Sequence, residues 1–195
     1  MNALVLCVFD NIQGPVVSLV NPRGALTNKQ SEQLCKLMDI HNHGFFLLAF
    51  DGITTANLIF NIPSDLGRGH VECLQISIVL EKALIDPSLA EVLQNLLCRF
   101  EEEVLEIPKL YCFLHPNSPD YDYKISEITS IFDHFYEIAY STVYDALQDE
   151  LKYQALFHAV REVWEHMSDL GLKISKKEFA AENCPQRYDI IIEAR

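Results

Sequence analysis

Hydrophobic and polar positions fall into short strand-like runs in the first half of the chain and long helical stripes in the second. Residues 4–9 are an apolar run, residues 10–15 are dense in turn formers, and residues 16–20 are β-branched and apolar, which predicts a hairpin. Thr27-Asn28-Lys29-Gln30 has the form of a capping box, so a helix should follow, with Leu34, Leu37 and Met38 as its apolar stripe. His41-Asn42-His43-Gly44 supplies its stop, Gly44 being suited to a left-handed cap. Residues 45–50 and 54–62 flank Asp51-Gly52 and predict a second hairpin. Residues 63–69 read as a loop. In the next run Leu74, Ile76, Ile78 and Leu80 share one parity while Gln75, Ser77 and Glu81 take the other, the pattern of a strand with one wet face.

Asp86-Pro87 predicts a capped helix start with proline at the first helical position. Leu89, Val92, Leu93, Leu96, Leu97, Phe100 and Val104 then recur at helical spacing, so one face should pack on the sheet. Residues 107–119 carry three prolines and break the pattern, with a short strand or helical turn over 110–114. Beyond them Ile125, Ile128, Phe132, Phe135, Ile138, Ala139, Val143, Ala146 and Leu147 form one stripe. Leu151, Leu156, Ala159, Val163, Met167 and Leu170 form another, ended by Gly171, and the two predict a pair of helices. Residues 190–192 are a short apolar run, an edge strand or tail. The expected organisation is a sheet domain over 1–106, a connector over 107–119 and a helical extension over 120–195. The fold class is α+β: a five-stranded antiparallel sheet with helices packed on one face, plus the C-terminal helical extension. The element order excludes Rossmann and P-loop domains, and neither glycine-rich phosphate motif occurs.

With 195 residues, 49% of them hydrophobic, the chain is long enough for one substantial core. A net charge of −13 argues against nucleic acid and anionic membranes as direct partners. Lys173, Lys176 and Lys177 are the densest basic cluster, but Glu178 and Glu182 follow, so they read as a solvated helix end. The six cysteines, Cys7, Cys35, Cys73, Cys98, Cys112 and Cys184, show no metal-ligand spacing. Cys7, Cys73, Cys98 and Cys112 read as small buried hydrophobes of a reducing compartment, and Cys184 as the exposed one. No cleavable leader is legible, and residues 4–9 are too few to cross a bilayer, so a soluble cytoplasmic protein is expected. No cofactor or metal is expected.

The candidates for chemistry are few. Arg68, between Gly67 and Gly69, could reach a nucleotide phosphate as an arginine finger; the plainer reading is a solvent-facing loop residue. His41 and His43, or His158, Glu162 and His166 along one helix face, have metal-site spacing, against which stand helix capping and a solvated face. Asp10 reads as the carboxylate that bonds its own turn, with Gly14 and Pro15 completing it. The aromatics Phe132, Phe135, Tyr136, Tyr140, Tyr153, Phe157 and Trp164 exceed what two isolated helices hide, and any exposed remainder would be a partner surface.

The segment Val8-Phe-Asp-Asn-Ile-Gln-Gly-Pro15, in register with the order strand, strand, helix, three strands, helix, resembles the first turn of longin domains in the DENN and related trafficking families. Residues 55–64, the Gly67-Arg68-Gly69 loop and residues 74–80 are similar to archaeal longin-like proteins. The resemblance covers about residues 1–106 and separates the chain from the roadblock fold, which begins with a helix. It implies a non-catalytic platform that pairs with itself, with another longin or roadblock domain, or with a small GTPase, as a homo- or heterodimer, and that meets membranes only through partners. It further implies an interface on the second strand and first helix, at Val16, Val17, Leu19, Gln30, Gln33 and Leu37. The rival class is an enzyme: a GTPase-activating protein using Arg68 or a metal-assisted hydrolase using the histidines.

Overall fold

A computed structural model describes residues 1–10, 13–41, 43–81, 85, 87–169, 173–181 and 184–193. The side chains of Arg68 and of most residues beyond 149 fall outside that description. The chain divides into two compact units, Met1–Ala146 and Leu147–Arg195.

In the first unit β1 (Ala3–Asp10) and β2 (Gly14–Asn21) form the first hairpin. The Asp10 carboxylate accepts from the Gln13 amide at 2.7 Å, and Gly14 takes a φ of 80°, which a side chain would strain. α1 (Asn28–Cys35) starts at the capping box, the Gln30 amide donating to the Thr27 hydroxyl while the Thr27 amide donates to the Gln30 side chain. A bend at Lys36 separates it from α2 (Leu37–Ile40). Gly44 opens β3 (Gly44–Phe50) instead of capping α2, whose C-cap is His41. β3 and β4 (Ile53–Pro63) are joined by Asp51 and Gly52, both at positive φ as a type I′ turn requires. β5 (Val71–Glu81) follows, and α3 (Pro87–Leu105) begins on its proline; the cap expected at Asp86 lies outside the described residues. A 3-10 turn, Leu110–Leu114, then leads to α4 (Tyr121–Asp169).

The five strands form one antiparallel sheet in the order β2-β1-β5-β4-β3, an α+β architecture. β5 sits at its centre and is buried on both faces, which corrects the expectation of a wet face: Gln75 and Ser77 are fully buried. The helices likewise cover two faces and not one. Ala3, Val5, Cys7, Ile53 and Val79 point to the face covered by Leu34, Cys35, Leu37 and Met38 of α1 and α2. The opposite parity, Leu4, Leu6, Leu58, Phe60, Leu74, Ile76 and Ile78, is buried on the other side of the sheet, where α3 packs against β4 and β5. Phe100 of α3 meets Phe135 of α4 there, with ring centroids 5.0 Å apart.

α4 is a single helix where the apolar stripes suggest two, because residues 147–151 contain no glycine or proline to break it. The second unit also carries a two-stranded antiparallel sheet, β6 (Lys173–Ala181) and β7 (Cys184–Glu193). Lys173, Lys176 and Lys177 thus lie in a strand and not at a helix end, and residues 190–192 pair within β7. The helix stop expected at Gly171 lies outside the described residues. No described helix is long and apolar enough to cross a membrane.

Candidate interaction site

β2 and β3 close the sheet at its two ends, so each has a ladder of backbone groups with no strand beyond it in the sheet. Neither Gly14–Asn21 nor Gly44–Phe50 contains a charged residue. Edges are ordinarily protected by lysine, proline or a strong bulge; β2 has no lysine, and carries Pro15 at its start and a single extra residue in its middle.

A register shift between Leu6 and Cys7 makes Ser18 the extra residue of β2. Its effect is to sort the neighbouring side chains. Val16 pairs with Val8 and Leu19 with Leu6, both on the α3 side, whereas Val17 pairs with Cys7 and Val20 with Val5, and both pack against the cluster under α1. The three expected contacts Val16, Val17 and Leu19 therefore do not share a face. All eight β2 residues are half-buried. At the end of the strand the Asn21 amide donates to Asp133 of α4 at 2.9 Å.

The helix side of the expected interface separates into three roles. Gln30 serves the capping box and donates to the Asp51 carbonyl at 3.3 Å, while the Lys29 ammonium pairs with the Asp51 carboxylate at 3.0 Å. These bonds clamp the start of α1 to the β3–β4 turn. Gln33 is half-buried, and its side-chain oxygen finds no hydrogen-bond partner among the described residues. Leu37 points inward at 6% exposure and belongs to the core, out of a partner's reach. The residue this face does present is Ile40, 73% exposed at the end of α2, and it stands off the helical stripe that guided the sequence reading. Leu47 on β3 and Tyr140 and Tyr144 on α4 are further exposed apolar or aromatic side chains; of these only Tyr140 was singled out by sequence. Phe132 and Phe135 are core, while Tyr153, Phe157 and Trp164 lie outside the described side chains.

Under α1 lies a row of buried polar side chains that the sequence reading did not find. Gln75 donates to the Leu34 carbonyl at 3.2 Å and to Ser77 at 2.9 Å; Ser77 donates to Asn57 at 2.9 Å; Asn57 donates to the Thr55 hydroxyl at 2.9 Å; and Thr55 donates to the Leu48 carbonyl at 3.2 Å. The row runs from α1 across β5 and β4 to edge strand β3, so helix and edge are tied through the sheet. In low dielectric each of these bonds holds its partners in register, since leaving any one unmade would strand a desolvated group.

The surroundings of the remaining candidates are described in part. Arg68 opens the Arg68–His70 3-10 turn in a loop whose backbone is tied down: the Ser64 hydroxyl accepts from the Leu66 and Gly67 amides at 3.1 and 2.8 Å and donates to Glu72 at 3.2 Å. Its flanking glycines meet steric needs, because a Cβ on Gly67 would run into the Val71 carbonyl and Gly69 has a φ of 72°. Glu72 also bonds His115 at 2.9 Å, and Tyr111 donates to Asp65 at 2.8 Å. Residues 107–119 are thereby fastened to the β4–β5 loop. His41 stacks on Phe46 at 4.0 Å and His43 bonds Asn61 at 2.9 Å, so the two serve separate neighbours. Of the second histidine set, Glu162 and His166 lie outside the described side chains. Among the described residues no three His, Cys, Asp or Glu side chains converge on a metal-sized site. Cys7, Cys35 and Cys112 are buried, while Cys73 and Cys98 are half-exposed; the side chain of Cys184 lies outside the description. A cavity of about 190 Å³ beside β4 is lined by Ile62, Pro63, Val104, Leu105, Ile107, Pro108, Leu110 and the one charged residue Lys109, which gives no convergent polar set for chemistry.

No protein-family model matches the chain, and no curated protein matches it either.

Proposed function

We propose that this chain is a non-catalytic protein–protein interaction module of longin type that pairs through an open edge of its sheet. It forms a homodimer or a heterodimer with another longin or roadblock domain, and scaffolds or regulates a small GTPase in a cytoplasmic trafficking-type system. Membranes are met only through those partners. The observation that supports the reading is the uncharged edge strand β2, whose Val16 and Leu19 stand half-exposed on one face. An apolar edge left open is a site of uncontrolled pairing, and a specific partner strand removes that liability while satisfying its backbone groups.

Sedimentation at micromolar concentration tests it, with the chain alone and mixed with longin domains, roadblock domains and nucleotide-loaded small GTPases. A dimer or a one-to-one complex is expected, and the Val16→Lys/Leu19→Lys variant should sediment as a monomer with its far-UV circular dichroism unchanged. A wild-type chain that stays monomeric and binds none of these domains sinks the reading.

A further inference from the structure

Cys7 in the middle of β1 and Cys35 at the last position of α1 come from elements 28 positions apart, yet their sulfurs lie 2.9 Å from one another in the core. Ala3, Val5, Leu34, Leu37, Met38 and Val79 belong to the same cluster. We infer that Cys7 and Cys35 form a thiol pair that low-molecular-weight disulfides oxidise to an intramolecular disulfide, fastening α1 to β1. The sulfurs already sit within about 1 Å of bonding distance.

The two thiols are not equivalent. The hydrogen bond between the two sulfurs holds the Cys35 thiol below its ordinary value, against the opposing effect of burial. The same bond, with burial behind it, pushes Cys7 well up. Cys35 ends the short helix that covers the pair, whereas Cys7 sits in mid-strand within the sheet, so Cys35 is the thiol an entering disulfide meets and Cys7 the resolving group. The Cys35 thiolate attacks one sulfur of oxidised glutathione; that S–S bond breaks and one glutathione thiolate leaves, leaving a mixed disulfide on Cys35. Cys7 then gives its proton to water, attacks the Cys35 sulfur and expels the second glutathione thiolate. Two protein thiols are oxidised, one external disulfide is reduced to two thiols, and no other electron acceptor is needed.

Cys35 is buried, so the oxidant enters only when its cover lifts. That cover is two short helices of eight and four residues meeting at the exposed Lys36, the kind of element that opens without global unfolding. Once closed, the bond holds α1 down on the strand paired with β2, since Cys7 stands opposite Val17.

The test equilibrates the purified full chain, without denaturant, in mixtures of reduced and oxidised glutathione. Acid quenching, unfolding, alkylation of free thiols and peptide mass spectrometry follow. The expected result is a Cys7–Cys35 linked peptide pair that rises with the proportion of oxidised glutathione, while hydrogen exchange of the α1 amides slows by at least about tenfold. Both residues recovered alkylated at the most oxidising ratio would overturn the inference, as would a link that forms only in denaturant. Cys7→Ser should trap glutathione on Cys35, and Cys35→Ser should leave Cys7 alkylatable; the reverse pattern overturns the assigned roles.

Discussion

The two faces of the central sheet are equally buried but held in different ways. On the α3 side Leu4, Leu6, Leu74, Ile76 and Ile78 meet an apolar layer that includes Phe100 and Phe135, and cohesion is area removed from water. On the α1 side Thr55, Asn57, Gln75 and Ser77 are just as inaccessible and are joined by hydrogen bonds. An apolar face tolerates small slips, because one methyl contact substitutes for another. A hydrogen-bonded face does not, and it defines which residue of β4 stands beside which residue of β5. The protein thus has one face that is apolar throughout and another that adds to its apolar cluster a hydrogen-bonded row fixing alignment, and carries the thiol pair.

The largest break in that comparison is Phe135→Ala. It empties a fully buried ring site beside Phe100 and should cost about 3–5 kcal/mol in urea unfolding, leaving register untouched. Asn57→Ala probes the other face. It strands the Ser77 hydroxyl and removes the donor to Thr55, so a loss of about 2 kcal/mol is expected, with backbone chemical shifts of β4 and β5 moving further than Phe135→Ala moves them. If the two variants disturb the strands equally, the division of labour fails.

The smallest effect is confined to the rim, where Tyr111 donates to Asp65. That bond, aided by burial, pushes the phenol up to about 12 from a normal value of 10.0. A tyrosine in the unfolded chain ionises first, so this contribution is whole below about pH 10 and is lost as pH climbs to about 12. Tyr111→Phe should flatten the stability profile across that window; an unchanged profile would show that the bond contributes nothing.

Turn chemistry made much of the fold legible. Asp10 with Gly14, the Thr27–Gln30 box, and Asp51-Gly52 each impose a local conformation whatever surrounds them, and each stands where the residues place it. The strong stripe of α3 was equally plain, its buried set running from Leu89 to Val104. What surrounds a strand is not local. Gln75 and Ser77 alternate with leucine and isoleucine as they would beside water, and nothing in residues 71–81 announces that α1 lies over them. Leu37, which the resemblance assigned to an interface, is buried as its place on the apolar stripe requires, while Ile40, off that stripe, went unnoticed. The sequence offered Gly67 only as a flank of Arg68, and nothing local to it shows the close approach to a neighbouring carbonyl that the position requires. In α4 the start of a second apolar stripe looked like a chain break, but no glycine or proline stands there to impose one, and the helix runs through.

The place of β5 between β1 and β4 also bears on how the chain comes to be made. During synthesis β1 leaves the ribosome early, and its inner neighbour is translated only after both hairpins are out, for Ala3 pairs with Val79 and Val8 with Leu74. Until then the nascent chain holds two separate ribbons, neither of which can bury its apolar surface alone. Closure of the sheet is consequently a late event of high contact order, and a ribosome stalled before residue 71 would hold this sheet unfinished, its two ribbons clients for chaperones.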